Sequence, residues 1–547
     1  MVSIVCGVVL LKRVFVNKEK TMIKLCSSSK KIFNKEDCLL INKDTCLKNE
    51  TYCFQIFVEK DKDKEYEVKI NSNLKTTVYF VDKGKVDRYR DEVQDDYYVR
   101  QADDLYPDLL TKCNFFKTDS KGCATLFVEI PADGKQSGQY EIQIDIDGEV
   151  ASFQLLISND KLVENDLLLT NWIHMDGICH YYGVNFWSDE FINKLDFFLQ
   201  AYVKMGNNMI LVPTITPALD TEVGGERLTT QLVSITKKEE NYFFDFTKLE
   251  QFVDICHKHG IKYFEFAHLF TQWGGECCPK IMVNINGEEV QEFGWHIKST
   301  DAKYFNFLKQ YLQALVDFLA KKDIKKNSFF HITDEPEIKD LEKYVEVASF
   351  VRKQAEGIPI LDALSNFTFM KHNVMDLPVV SLKSKDLSEF LQQDNMVYYC
   401  VGVDCEYITN RYWDMPLQRV EILGFLLYLL GTKGFLHWGF NFYNAQFSKH
   451  SINPYENATA GGGFPAGDSF ILYPGVSDVD YSLRYFSMIK AFEDYRLLKT
   501  LEKNMGRKAV LAMLNDENVL DVRNYPRSAE WHTEFRRKLR TLIEKSI

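Results

Sequence analysis

Two neighbouring carboxylates, Asp334 and Glu335, end an apolar run of residues and are followed directly by Pro336. Two acids at the buried end of a strand repel each other and lose hydration, so one should stay ionised while the other holds its proton. Cleavage of a glycosidic bond needs such a pair, because an acid protonates the leaving oxygen while a carboxylate stabilises positive charge. The simpler alternative is that one of them caps the helix that follows. The pair alone is a weak motif, so its meaning depends on the elements that position it.

The elements that position the carboxylate pair are predicted from alternating strand and helix patterns between residues 166 and 500. Eight apolar runs are strand candidates, at 167–176, 208–216, 262–270, 328–336, 359–364, 378–382, 396–403 and 434–440. Helical candidates lie between most of them, at 189–204, 246–259, 302–322, 338–356 and 416–430, with a last one at 482–498. Eight such units predict a (β/α)8 TIM barrel whose fourth strand ends at the carboxylate pair.

Polar and aromatic side chains gather where the predicted strands end, which is the edge of such a barrel that carries its chemistry. Any one of these residues could serve a local hydrogen bond, so the prediction of a binding site depends on the collection. The substrate-binding candidates are His174, Asp176, Asp220, Arg227, His268, Gln272, Trp273, Tyr399, Trp438, Asn441, Tyr443 and Asp468.

The rest of the chain has different patterns. Short alternating runs separated by polar turns cover residues 22–158 and predict an antiparallel β-sandwich, with a linker at 159–165. We expect residues 1–21 to be a non-native or disordered extension, with Met22 as the natural start. Residues 501–547 are expected to form a helical tail packed on the barrel.

The amino-acid composition of the chain disfavours several classes of protein. The chain has 547 residues and a formal net charge of −12, which disfavours a nucleic-acid-binding surface. No apolar run approaches the roughly 18–20 residues of a membrane span. The 13 cysteines are scattered, and no convincing signal peptide occurs, so we expect a cytoplasmic protein. The sequence contains no HExxH or comparable metal-binding spacing, and we predict neither a metal nor a cofactor.

Several longer motifs resemble a known family. The strings HITDEP, GFLHWGFNFYN and GGGFPAGDSFILYPG are similar to glycoside hydrolase family 123, and more closely to the bacterial proteins labelled with the domain of unknown function 4091. Residues 219–233 and 270–281 are also similar to that group, and the resemblance covers about 22–500. It implies a β-N-acetylgalactosaminidase with a β-sandwich before a (β/α)8 barrel. It also implies retaining, substrate-assisted catalysis, with Glu335 as general acid/base and Asp334 orienting the 2-acetamido group and stabilising the oxazolinium ion.

Positions at the rim suggest further roles toward an oligosaccharide or glycoconjugate substrate. Aromatic walls for the sugar are expected from Trp273, Trp438 and Tyr443, because the C–H face of a pyranose is apolar. Tyr399 is expected to donate to the acetamido oxygen, while hydroxyl contacts are expected from Asn441, Asp468 and Arg227. The long glycine-rich loop 441–475 should border the site, with Asp468 or Tyr473 pointing inward.

Two alternatives stay open on the sequence alone. Many barrel glycosidases carry a nucleophilic carboxylate on strand seven, and Glu406 or Asp404 would occupy that place. Such an enzyme would form a covalent glycosyl intermediate and would not need a 2-acetamido group. The other alternative is a carbohydrate-binding protein without catalytic activity, although a pure binder has little need for two crowded acids.

Overall fold

The structure is a computed structural model, and it describes residues 22–86, 95–99, 103–399 and 405–545. The expected extension 1–21, the nucleophile candidate Asp404 and the end of the seventh strand candidate lie outside the described residues.

The N-terminal part of the chain forms two sheets. Their strands are β1 Met22–Ser27, β2 Lys43–Cys46, β3 Thr51–Glu59, β4 Glu65–Asn71, β5 Thr77–Lys85, β6 Leu105–Lys112, β7 Phe115–Lys117, β8 Cys123–Pro131, β9 Gly138–Ile146 and β10 Glu149–Ile157. One sheet has the order β1-β3-β8-β5-β6 and the other β2-β10-β9-β4-β7. The pairs are antiparallel except β2 with β10, which are parallel.

These two sheets pack face to face, as the alternating sequence pattern predicts. Phe54 of β3 and Phe153 of β10 stack with ring centroids 4.9 Å apart, and both side chains are fully buried. In the second half of β9 buried residues alternate with partly exposed ones, which is the period of a strand with one face on a core. The N-terminal part is therefore a strand-rich unit with its own apolar core.

The C-terminal part contains the remaining strands. They are β11 Leu168–Asn171, β12 Met209–Val212, β13 Ser234–Lys238, β14 Asn241–Asp245, β15 Tyr263–Phe266, β16 Ile281–Ile285, β17 Glu288–Phe293, β18 Ser328–Phe330, β19 Leu361–Ala363, β20 Leu377–Ser381, β21 Met396–Tyr398, β22 Gly434–His437 and β23 Tyr481–Ser482.

Eight of these strands occur at the eight predicted positions and pair in parallel. They form two sheets, one ordered β11-β22-β21-β20-β19 and one ordered β12-β15-β18. A parallel bridge between Phe330 and Ile360 links β18 to the residue before β19. Most of the strands are shorter than predicted, because the chain turns into loops before it reaches the polar residues at the rim.

Helices follow the strands and cover them. They are α1 Met175–Tyr182, α2 Asp189–Lys204, α3 Thr247–Lys258, α4 Ala302–Lys321, α5 Leu341–Gln354, α6 Leu387–Phe390, α7 Leu417–Glu421, α8 Leu423–Leu430, α9 Leu483–Met505, α10 Arg507–Asp516 and α11 Ala529–Lys545. Side-chain caps explain where several begin: Ser188 accepts a hydrogen bond from the Phe191 N–H at the start of α2. The helix predicted at 416–430 is divided into α7 and α8.

One sheet was not predicted from the sequence. Strands β13, β14, β16 and β17 form it in the order β14-β13-β16-β17, from two hairpins that follow β12 and β15. The loops before these hairpins, which include residues 219–233 and 270–281, are held at the edge where the parallel strands end.

A strand, a buried ion pair and a helix join the C-terminal part of the chain to the N-terminal part. Strand β23 pairs with β6 and so extends a sheet of the N-terminal part. Next to that pairing, the fully buried Arg484 makes an ion pair with Asp108 at 2.7 Å. The tail helix α11 contacts both parts, since Arg540 binds Glu50 at 2.8 Å while other residues pack on α9. No helix among the described residues is long and apolar enough to cross a membrane.

Candidate active site

A cavity of about 160 Å³ opens where the parallel strands end. Seven of the fourteen sequence-predicted site residues line it: Asp220, Gln272, Trp273, Asp334, Glu335, Tyr399 and Trp438. The sequence reasoning did not assign the other lining residues, which are Trp172, Leu219, Ala363, Tyr398, Leu436, His437, Gln446, Phe447 and Phe464. The cavity is therefore largely apolar and aromatic, with a few acids and amides at its edge.

Backbone geometry brings the two carboxylates to the same cavity. After β18, the Asp334 carbonyl accepts a hydrogen bond from the Trp273 N–H at 2.8 Å, and the Glu335 N–H donates to the Ala363 carbonyl at 3.1 Å. Glu335 has a φ of 44°, in the left-handed region that a residue with a side chain rarely adopts. This turn breaks the alternation of a strand, so two consecutive side chains face the same space instead of opposite faces.

The surroundings raise the pKa of both carboxyls. Loss of hydration within the cavity is the main cause for each of them, and for Asp334 the repulsion from Glu335 adds to it. The hydroxyl of Tyr398 donates to Glu335 Oε1 at 2.7 Å and partly offsets the rise in the pKa of Glu335. The positive charge on His331 acts in the same direction on Asp334. The pair is thus arranged to hold one proton between two oxygen acids near neutral pH.

Aromatic side chains form the walls of the cavity. Trp438 packs on Phe464 at 4.9 Å between ring centroids, and Trp273 meets Phe447 edge-on at 5.8 Å. Trp273 is 45% exposed, which leaves a broad apolar surface at the mouth. The indole Nε1 atoms of Trp172 and Trp438 are buried and have no hydrogen-bond partner among the described residues. These two N–H groups are therefore unsatisfied donors within the wall of the site.

Strained backbone is concentrated around the cavity. Besides Glu335, three lining residues have left-handed φ values, namely Asp220 at 40°, Trp273 at 56° and Phe447 at 63°. Two of them are joined, because the Phe447 N–H donates to Asp220 Oδ2 at 2.9 Å. Burial raises the pKa of this Asp220 carboxyl to about 6. Non-glycine residues in this conformation cost free energy and cluster at functional sites.

Three predicted site residues lie outside the cavity lining because they bind one another. Arg227 makes two hydrogen bonds of 2.9 Å to the carboxylate of Asp176, and the Nη2 atom of that pair also lies 2.9 Å from His174 Nδ1. Burial disfavours the charge on Asp176, but the Arg227 guanidinium outweighs it and holds the pKa of Asp176 well below its usual value. Burial lowers the pKa of His174 to about 4, so this histidine is neutral. Arg227 also donates to the carbonyl of Leu219, so the group supports a residue of the cavity wall.

Four more predicted residues are also absent from the lining. Asn441 exchanges hydrogen bonds with the backbone of His174 at 2.8 and 3.0 Å, and the Tyr443 hydroxyl donates to the Leu472 carbonyl at 3.0 Å. Asp468 is buried, with Oδ1 3.7 Å from His437 Nε2. His268 is buried beneath the cavity and packs edge-on against Trp172. All four are buried, and the polar side-chain atoms of Asn441 and Tyr443 are bound to the backbone.

The loop 441–475 borders the cavity, although not through the expected side chains. Gln446, Phe447 and Phe464 supply its contribution to the lining. Tyr473 points elsewhere, since its hydroxyl donates to Asp108 Oδ2 at 2.7 Å beside the N-terminal sheets. The aromatic residues of this loop therefore matter more to the site than Asp468 or Tyr473.

Tyr398, to which the sequence analysis gave no role, contacts the carboxylate pair, whereas the predicted Tyr399 does not. Both tyrosines line the cavity, but the Tyr399 hydroxyl is directed to Met488 Sδ at 3.3 Å, away from the carboxylates. Tyr398 contacts Glu335 directly. Alternation along β21 allows only one of two consecutive side chains to point toward the acids, and the sequence pattern did not reveal which one.

The strand-seven candidate Glu406 is placed on the outside. Its carboxylate lies 3.0 Å from Arg523 and 3.3 Å from Lys383, and it does not line the cavity. The hydrogen bond from Arg523, with help from Lys383, lowers the pKa of Glu406. This arrangement is a surface ion-pair cluster and does not favour a nucleophile at Glu406.

One group of side chains has spacing that a metal ion could use. Ligand atoms of His268, His331 and Asp362 lie within 4.8 Å of one another. However, the two imidazole rings stack at 4.2 Å with planes 29° apart, so their in-plane lone pairs do not converge on one point. The nitrogens of His331 also face the carboxylates of Asp362 and Glu265. The geometry fits an ion-paired imidazolium better than a metal ligand.

An adjacent pair of acids in an aromatic cavity, at the ends of parallel strands, is the arrangement of a glycoside hydrolase. The family model described as glycoside hydrolase 123, catalytic domain, matches residues 172–501, which is more than half of the chain. The chain belongs to glycoside hydrolase family 123 and is a glycosidase.

A solved structure has a similar fold. The chain is similar to a family 123 glycoside hydrolase from Clostridium perfringens, studied for glycolipid glycan hydrolysis, with 13% identity, a TM-score of 0.71, and coverage of 96% of this chain and 98% of that one. It is also similar to a family 5 mannosidase from Rhizomucor miehei, with 11% identity, coverage of 63% and 94%, and a TM-score of 0.32. No curated protein matches the chain by sequence.

Proposed function

We propose that this glycosidase removes a terminal 2-acetamido sugar from an oligosaccharide or glycoconjugate, in the manner of a β-N-acetylgalactosaminidase, by retaining, substrate-assisted catalysis. The observation that carries the proposal is the pair Asp334 and Glu335, which share one cavity while Glu406 lies outside it. A lone acid/base with an adjacent anion suits a mechanism in which the nucleophile comes from the substrate. The glycolipid glycan acted on by the Clostridium perfringens enzyme is a glycoconjugate of the same broad class.

The chemistry runs in two steps. In the first, the acetamido oxygen attacks the anomeric carbon, the bond to the leaving oxygen breaks, and that oxygen takes the proton of Glu335. The N–H of the resulting oxazolinium ion donates to the Asp334 carboxylate, which stabilises its charge. In the second, Glu335 removes a proton from water and the water oxygen attacks the anomeric carbon. The oxazolinium ring then opens and restores the acetamido group. Two inversions retain the configuration, and Glu335 regains its proton.

The intramolecular nucleophile explains why the protein needs so few reacting groups. A well-oriented neighbouring group reaches effective molarities of about 10⁵ M or more. The protein must then hold the acetamido group in place. The apolar floor at Trp172, Ala363 and Leu436 suits its methyl group.

We further infer that the eight parallel strands close into a (β/α)8 barrel. Three observations support this closure: the strands follow chain order, the first strand β11 pairs with the last strand β22, and β18 is bridged to the start of β19. A single buried apolar cluster also draws side chains from both sheets, including Leu211, Phe329, Val379 and Leu436. Such a cluster is the filled interior of a barrel.

Hydrolysis of p-nitrophenyl β-glycosides that differ only at C2 and C4 tests the proposed function. We expect the two N-acetylhexosaminides to be cleaved and the matching galactoside and glucoside to resist. A thiazoline analogue of the sugar should inhibit competitively, since it mimics the oxazolinium ion. Equal hydrolysis of the galactoside, or a lack of inhibition by the thiazoline, would contradict the substrate-assisted mechanism. Sugar binding without any hydrolysis would instead favour a non-catalytic protein.

A further inference from the structure

Two acceptor oxygens at the cavity have no role in the steps above. They belong to Asp220, on the loop after β12, and to Gln272, on the loop after β15. Asp220 Oδ1 and Gln272 Oε1 have no hydrogen-bond donor among the described residues, and neither atom is enclosed by them. Because both side chains line the cavity, each oxygen is accessible to a molecule bound there.

Hydrogen bonds hold Asp220 in place before a ligand arrives. The Phe447 N–H donates to Asp220 Oδ2 at 2.9 Å, and the Ser448 hydroxyl donates to the Asp220 carbonyl at 2.7 Å. Arg227 donates to the carbonyl of the residue before it at 2.6 Å. One carboxylate oxygen is therefore bound to the loop 441–475, and the other is left free at the cavity in a fixed orientation.

Gln272 is held in a similar way. Its Nε2 donates to the Thr221 carbonyl at 2.9 Å, which orients the amide and leaves Oε1 as a free acceptor. The same bond joins the loop of Gln272 to the residue that follows Asp220. Gln272 is only 4% exposed, so its free acceptor lacks full hydration unless a bound molecule supplies a donor.

The charge on Asp220 determines how strongly its free oxygen accepts. Burial raises the pKa of Asp220 to about 6, while the Phe447 N–H and the Arg227 guanidinium limit that rise. At about pH 7.5 the carboxyl is therefore ionised and can only accept hydrogen bonds. A hydrogen bond to a charged acceptor is stronger than one between neutral groups.

The hydroxyl groups of a sugar are the donors that these oxygens lack. We propose that Asp220 and Gln272 are specificity-determining residues, which accept hydrogen bonds from hydroxyl groups at C3, C4 or C6 of the terminal sugar. C2 carries the acetamido group, whose N–H is assigned to Asp334. The assignment rests on the proposed function, because it places the terminal sugar beside the carboxylate pair.

A cycle that combines one variant with one substrate change tests Asp220. In Asp220→Asn the Phe447 N–H still needs an oxygen, so the amide NH2 group takes the place of the free acceptor. The substrates are p-nitrophenyl glycosides with fluorine in place of the hydroxyl at C3, C4 or C6, since fluorine cannot donate. For at least one of them, the loss in kcat/KM at about pH 7.5 should be about tenfold or more greater in wild type than in Asp220→Asn. The inductive effect of fluorine is common to both enzymes and cancels.

Asp480→Asn is the matched control. Asp480 is a partly buried carboxyl that does not line the cavity and accepts from the Tyr455 hydroxyl at 2.7 Å, and burial raises its pKa as well. The control should show the same losses as wild type. Equal losses in wild type and Asp220→Asn for all three fluorinated substrates would overturn the role of Asp220. Gln272→Met should reduce one of the losses by about 2- to 10-fold, and unchanged losses would overturn the role of Gln272.

The parent substrate keeps this test separate from that of the proposed function. It is the p-nitrophenyl sugar that the enzyme cleaves best, so the cycle is also measured if the N-acetyl group proves unnecessary. Calorimetry with methyl glycosides and wild-type protein needs neither hydrolysis nor a folded variant. At least one fluorinated methyl glycoside should bind about tenfold more weakly than its parent, and equal binding of all three would overturn the proposal.

Discussion

Replacement of Tyr398 by Phe removes one hydroxyl and leaves the ring that lines the cavity. That hydroxyl donates to Glu335 Oε1 at 2.7 Å, and a hydrogen bond to a charged group contributes about 1.5–3 kcal/mol. Because the Glu335 side chain is accessible from the cavity, we take the lower end, which corresponds to about a tenfold loss in kcat/KM. The hydrogen bond also lowers the pKa of Glu335, so its loss should move the alkaline limb to higher pH.

A comparison of substrates with different leaving groups makes this test more specific. A p-nitrophenolate departs readily without a proton, whereas an alkyl or sugar alcohol needs one from Glu335. Tyr398→Phe should therefore impair a methyl or disaccharide N-acetylhexosaminide more than the p-nitrophenyl one, in the same assay across pH. Tyr399→Phe is the matched control, because its hydroxyl faces Met488. The reasoning is refuted if Tyr398→Phe stays within twofold of wild type, or if Tyr399→Phe loses as much activity.

Three other outcomes follow from the contacts described. Glu406→Gln should keep near-wild-type kcat/KM for an N-acetylhexosaminide, and a loss beyond 100-fold would restore the strand-seven nucleophile. Arg227→Met should lower the free energy of unfolding in urea by about 3–5 kcal/mol, because it leaves Asp176 buried without its partner, and an unchanged midpoint would contradict that role. Since the pKa of His331 is raised to about 9, its stabilising contribution is full below its unfolded pKa and is lost as pH rises through 9. Urea unfolding at pH 7 and pH 10 should show that loss in wild type and a smaller one in His331→Gln.

Much of the architecture was accessible from local patterns. Apolar runs with strand-like or helical periods mark the eight parallel strands and helices such as α2, because each element buries one face against a core. The carboxylate pair was also accessible, since two acids at the end of an apolar run, as in HITDEP, are rarely placed there for stability alone. Both inferences depend only on residues close together in the chain.

The features that the sequence did not reveal concern long-range pairing and register. Arg227 and Asp176 are 51 residues apart, and Glu406 and Arg523 are 117 apart, so no local pattern reveals that these charges neutralise each other. The choice between Tyr398 and Tyr399 depends on a strand register that a single residue reverses. Trp172 and Phe464 resemble ordinary core residues in sequence, and only the fold brings them to the cavity.

The pairing of β23 with β6 has a consequence for synthesis of the chain. Lys112 ends β6 and Tyr481 begins β23, so about 370 residues must be translated before that edge of the first sheet finds its neighbour. At roughly 5–20 residues per second the ribosome needs tens of seconds for this stretch. During that interval the nascent N-terminal sheets present an open strand edge, which is a site for mispairing with other chains. Cellular yield of this enzyme should therefore depend on translation speed and chaperone supply as much as on the stability of the finished molecule.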